Sequence, residues 1–175
     1  MIKESIGNEE ILLGPKTAFL CSRRVPPSIV LKSFDWAREM CRRECCVISG
    51  NHSQIEKDVF HFLLKGKQPL ILALARGMKR KIDTELETAL SNNRISIITP
   101  FAKAIKRASE KTARKRNKLM VEMAEEVFVA YAHPGGNIEC DILEAIRSGK
   151  NVTTFDVFEN AGLIKAGANI YSNSM

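Results

Sequence analysis

The chain has 175 residues and a net charge of +7. That length suits one domain with a real core, and no apolar run is long enough to span a bilayer. No charged-then-apolar leader opens the chain, so a cytoplasmic location with no membrane partner is the default expectation.

Residues 1–16 show weak periodicity and end at Gly14-Pro15, which reads as an N-terminal arm or short helix. The core domain is expected over 17–175. Thr17 to Cys21 is apolar enough for a strand covered on both faces, and Ser22-Arg23-Arg24 leaves its carboxyl end. A helix follows to about Arg43, with Ser28 as the expected N-cap and Trp36 as a packing residue. Cys45 to Ile48 is the second strand, with Ser49-Gly50-Asn51 as its exit. A helix from about Ser53 to Leu64 closes at Lys65-Gly66-Lys67. Leu70 to Leu74 is a strand, Arg76 to Lys81 a basic exit loop, Ile82 to Leu90 a helix and Ile95 to Ile98 a strand.

The net charge then concentrates. Eight cations lie between Lys103 and Lys118 against a single Glu110, which accounts for the whole excess. Such a run is often only a solvated helix face; beside a phosphate site it points to nucleic acid. An amphipathic helix is expected after the run Arg114 to Lys118, with Leu119, Met120, Met123 and Ala124 on one face. Glu126 to Tyr131 is a buried strand that runs into His133-Pro134-Gly135-Gly136-Asn137, and a helix opens near Ile138. Val152 to Phe155 is the last expected strand, and the tail from Asn160 has little periodicity. This alternation predicts an α/β fold: a doubly wound, mainly parallel, Rossmann-like sheet of about six strands with helices on both faces.

Several chemistries are missing. No G-x-G-x-x-G follows the first strand, and neither a P-loop nor a G-x-S-x-G elbow is present. The five cysteines form no Cys-x-x-Cys pair and read as reduced structural thiols, so no metal and no cofactor is expected. What remains is a set of polar and basic strand exits. In a doubly wound sheet these converge on the carboxyl edge, where arginine forks and backbone N–H groups hold phosphates. The candidate phosphate-binding residues are Ser22, Arg23, Arg24, Ser49, Gly50, Arg114, Arg116, Asn117, Lys118, Gly135, Gly136 and Asn137.

Several of these motifs, in one order, resemble the DNA-processing protein A family, also called DprA or Smf. Thr17 to Arg24 is similar to that family's first strand and G-S-R-R exit, with Cys21 in place of the glycine. Val47-Ile48-Ser49-Gly50 resembles its Ser-Gly turn, and Arg116 to Met120 its R-N-R-I-I run. Gly135-Gly136-Asn137 stands where the family has Ser-Gly-Ser, and Gly162 to Ala168 resembles its L-I-x-x-G-A element. After Ser-Gly the family's A-R-G-I-D is replaced by His52-Ser53-Gln54-Ile55-Glu56. The length leaves room for that family's core alone. The resemblance implies a non-enzymatic protein that binds single-stranded DNA in recombination and natural transformation. A RecA-type recombinase would be its partner, and a homodimer is admitted.

The alternative is an enzyme of the same fold group, the cytokinin-activating "lonely guy" phosphoribohydrolases, which resemble a lysine decarboxylase family. Their R-K-x-x-M and P-G-G-x-G-T-x-x-E motifs are partly matched by Arg116 to Met120 and Pro134-Gly135-Gly136. Ile142 stands where their catalytic glutamate belongs, which argues against that chemistry. A small-nucleotide-binding protein is the third reading.

Overall fold

The computed structural model describes residues 1–172, so the last three residues of the expected core lie outside the described residues. Strand β1 (Glu4–Gly7) leads through a 3-10 turn (Glu9–Leu12) to β2 (Thr17–Cys21). Helix α1 (Pro27–Arg42), β3 (Val47–Ser49), α2 (Gln54–Leu64), β4 (Leu70–Ala73), α3 (Thr84–Ser91) and β5 (Ile95–Thr99) then alternate. The second half runs α4 (Glu110–Met123), β6 (Glu126–Tyr131), α5 (Asn137–Arg147) and β7 (Asn151–Thr154). A 3-10 turn (Phe158–Asn160), α6 (Ala161–Lys165) and β8 (Asn169–Ile170) follow.

The strands form one sheet in the order β1-β5-β4-β3-β2-β6-β7-β8. Every neighbouring pair is parallel except β1 with β5. Alternate strand residues feed two cores. Phe19 and Phe128 face α1, α2 and α3, stacking on Trp36 at ring-centroid distances of 4.8 Å each. Ala18, Leu20, Val127 and Val129 face α4, α5 and α6. Helices therefore cover both faces, as the alternation predicts, and among the described residues no helix is long and apolar enough to cross a membrane.

Three expectations are corrected. The sheet has eight strands, not about six. Part of the arm is β1, half-buried and antiparallel on β5. Gly7 ends it at φ +99°, where a Cβ would overlap the Ile95 carbonyl. The tail adds α6 and the two-residue β8, both too short to leave a periodic signal. Second, the basic run does not precede a helix but lies inside α4, which begins at Glu110 under a reciprocal Ser109–Thr112 cap. Third, α1 starts at Pro27 with Pro26 as its N-cap, so Ser28 caps nothing and instead donates to Glu159 at 3.4 Å.

From β2 the chain winds outward through β3, β4 and β5. It then returns along α4 to β6 on the other side of β2 and winds out through β7 and β8. The direction reverses between β2 and β6, so their carboxyl ends part into a crevice.

Candidate nucleic-acid interface

The crevice is a cleft of about 300 Å³, lined among others by Ser22, Arg23, His52, Arg114, Arg116 and Asn137. Its floor is set by a pin between the two strands. The Ser22 N–H donates to the Tyr131 carbonyl and the His133 N–H donates to Ser22 Oγ, both at 2.9 Å. On the β3 side, Ser53 caps α2 and Glu56 returns the favour, a capping box legible as S-x-x-E. Glu56 is buried and accepts from the N–H groups of Cys21, His52 and Ser53 at 3.1, 2.8 and 3.2 Å. One carboxylate thus ties the β2 and β3 exits together.

Arg116 is only 2 % exposed. Helical spacing turns it inward from α4, and its Nη1 donates to the carbonyls of Gly50 and Ala73 at 2.7 and 3.2 Å. Its Nε donates to Asn117 Oδ1 at 2.8 Å. Burial pulls the guanidinium below its ordinary pKa while Glu56 opposes the shift; it remains a cation. Arg116 can lie on the β3 exit because Gly50 has no side chain: a Cβ there would overlap Nη1 and Cζ, and would stand 2.6 Å from Nη2. Gly50 and Arg116 are therefore one device that clamps α4 over the ends of β3 and β4.

The other expected residues divide. Arg114 pairs with Asp141, both Nε and Nη2 lying 2.8 Å from Oδ1, and that hydrogen bond raises the Arg114 pKa. Lys118 sits 3.5 Å from Glu144 on the outer face of α4. Arg114, Lys118 and Asn137 line a wider, open groove over α4 and α5, together with Lys111 and Lys115. Gly135, at φ +74°, donates to Glu139 Oε2 at 2.7 Å, and Gly136 donates to the His133 carbonyl at 2.9 Å. The glycine loop is thus satisfied by the chain itself, with the Glu139 carboxylate in the place an external anion would take. Asn137 donates to Glu110, joining the starts of α4 and α5. Ser49 is fully buried and accepts from the Asn51 N–H at 3.2 Å. Ser49, Gly50, Gly135, Gly136 and Arg24 line neither depression. Arg23 and Arg24 are exposed and make no ion pair among the described residues. Arg23 Nη2 lies 2.9 Å from His52 Nε2. Burial, and then Arg116, lower the His52 pKa, which favours the neutral ring as the acceptor of that bond.

Sequence reasoning missed what the acids pair with. Glu110, Asp141 and Glu139 decide which cations and N–H groups stay free. Glu139 was within reach, because it lies four residues after Gly135 and directly faces the loop. Among the described residues no group of three His, Cys, Asp or Glu could hold a metal ion, and all five thiols are free.

The family model for DNA recombination-mediator protein A matches residues 5–174. The chain belongs to that family. Comparison with curated protein sequences gives no match. Among solved structures, DNA processing protein A from Helicobacter pylori, described for its single-stranded DNA binding mode, superposes with a TM-score of 0.76 at 17% identity over 97% of this chain and 81% of that one. The Streptococcus pneumoniae protein gives 0.77 at 17% identity over 95% of this chain and 62% of that chain, so the present chain spans less than two thirds of its length. The molybdenum cofactor binding protein of the phototrophic bacterium Rippkaea orientalis gives 0.59 at 13% identity over 90% and 89%. At these identities the likeness is one of fold. In this member of the recombination-mediator family, the Ser-Gly turn and the Arg-Asn-Lys run meet as Gly50 under Arg116.

Proposed function

We propose that this chain binds single-stranded DNA along the carboxyl edge of its sheet and acts as a mediator, without catalysis of its own, handing the strand to a RecA-type recombinase. Family membership supports the mediator role. The observation that carries the DNA reading is the set of exposed cations at the switch point: Arg23 and Arg24 at the β2 exit, and Lys111 and Lys115 along α4. Among the described residues these side chains are not paired with carboxylates, so they can neutralise phosphates. The residues already paired have a different part. Arg116, Asn117, Ser22 and Glu56 hold the exits in place, and Arg114 and Lys118 contribute charge partly offset by Asp141 and Glu144. Against phosphoribohydrolysis, Ile142 is fully buried on the sheet side of α5, so no acid stands at that point.

The test is a titration of the protein with oligo(dT) and with duplex across a salt series. Affinity for the single strand should fall with a log–log slope of about −0.7 per neutralised phosphate. The double substitution Arg23→Ala, Arg24→Ala should flatten that slope by about 1.4, two contacts' worth. A slope near zero, or a mutant curve overlaying the wild type, would refute the assignment. A second reading, a small nucleotide, is favoured by the cleft itself, whose volume is at the lower end for small-molecule sites. Competition by a nucleoside monophosphate at micromolar concentration would select it. Strand exchange by a recombinase on coated single strands, with and without the protein, tests the mediator role.

A further inference from the structure

Among the described residues Phe158 is the one phenylalanine left in water, 92 % exposed. An isolated exposed apolar side chain is ordinary on a protein surface. Here, however, the backbone beneath it is firmly held. Phe158 opens the 3-10 turn that leaves β7, and the turn is anchored by Asn160, 1 % exposed, whose Nδ2 donates to the Ala130 carbonyl at 3.0 Å and to Thr154 Oγ1 at 2.8 Å. The next residue, Glu159, accepts from Ser28 at the start of α1. Glu159 is also close enough to Tyr131, at the end of β6, for its charge to add to the effect of burial in raising the tyrosine's pKa. The backbone that carries the ring is therefore held at the carboxyl edge of the sheet, while the ring itself stands in water.

Its place relative to the cations follows from the sheet. In the order β2-β6-β7 the strand that leads to the Phe158 turn lies two places from the strand that ends at Arg23-Arg24, an axis separation of about 10 Å at ordinary strand spacing. A single strand held by those arginines and extended along the same edge would bring a base to the ring. Every base has a π-face, so an exposed aromatic ring takes any of them.

We infer that Phe158 is a stacking platform for a nucleobase of the bound single strand, an inference that rests on the single-strand reading above. Stacking adds to the charge term and is insensitive to salt, which separates the two experimentally. Two oligomers and two variants suffice: oligo(dT) and an abasic oligomer of the same length, tested on Phe158→Ala and Phe158→Trp. Phe158→Ala should weaken oligo(dT) binding by about 5- to 100-fold, leave the salt slope unchanged and leave abasic binding unchanged. Phe158→Trp should be quenched by oligo(dT) and not by the abasic oligomer, against the constant background of the buried Trp36. Wild-type-like oligo(dT) affinity in Phe158→Ala overturns the inference while leaving the DNA site standing. A change in mass by light scattering in that variant, with DNA affinity intact, also overturns it and assigns the ring to a contact between copies. Failure of the wild type to bind any single strand removes both the site and the inference.

Discussion

Gly50→Ala is a small change with a large expected cost. Gly50 is outside the left-handed region, so alanine brings no backbone strain of its own. The whole effect falls on Arg116, because the new Cβ occupies the space of its guanidinium. Arg116 is walled in and cannot step aside without giving up the carbonyls of Gly50 and Ala73. Two hydrogen bonds from a charged donor, at about 1.5–3 kcal/mol each, put the loss at about 3–6 kcal/mol. For a domain of this size that is a fall in Tm of roughly 6–24 °C. Urea unfolding followed by circular dichroism reads it directly, with an unchanged m-value as the sign that the two end states are the same. The two residues should also couple strongly: in an Arg116→Met background, Gly50→Ala should cost less than about 1 kcal/mol. If Gly50→Ala alone loses less than that, the arginine repacks freely and the clamp is refuted.

Two further outcomes follow from the paired groups. Glu139→Gln keeps an acceptor for the Gly135 N–H but removes the negative charge from the glycine loop; a charge at about 4 Å in water is worth about 1 kcal/mol, so oligo(dT) should bind about five-fold more tightly at low salt. An overlaid titration would mean that phosphates do not approach that loop. Burial pushes the Cys46 thiol up to about 12 and the Cys21 thiol higher still, from an ordinary value of 9.0. Both thiols are neutral in either state below about pH 9, so their contribution is fully present there and is lost as pH rises, because only the unfolded chain then releases protons. Cys46→Ala should therefore remove about 1.4 kcal/mol per pH unit from the slope of unfolding free energy between pH 9 and 12; equal slopes in wild type and variant would contradict the burial.

The central strands were legible because their signal is local. Thr17–Cys21 and Glu126–Tyr131 are apolar runs bounded by polar turns, and the structure keeps their bounds. β1 was not, since an edge strand of four residues half in water carries no continuous apolar run. The doubly wound architecture came from alternation alone and placed the strand exits on one edge. What the sequence could not reveal was the fate of each charge there. Arg114, Arg116 and Lys118 look alike in a basic run, yet one is paired, one buried and one at the surface. Helical phase separates them, and it applies because the run lies within α4 rather than before it. The burial of Arg116 further depends on a missing side chain 66 residues away.

The pairing of β2 with β6 carries a consequence for how the protein is made. Thr17 lies opposite Glu126, so the middle of the sheet is closed by a strand that leaves the ribosome long after its neighbour. β3, β4 and β5 can dock on β2 as they emerge, giving a half-sheet with one open flank and no crevice. Seating β6 on that flank is a late, long-range step, slow because of the loop it must close. Until then, the nascent chain has a ready edge for mispairing and no place for a ligand to bind. A ligand that needs both exits can reward only the finished fold, so binding should raise the stability of the whole domain rather than that of either half.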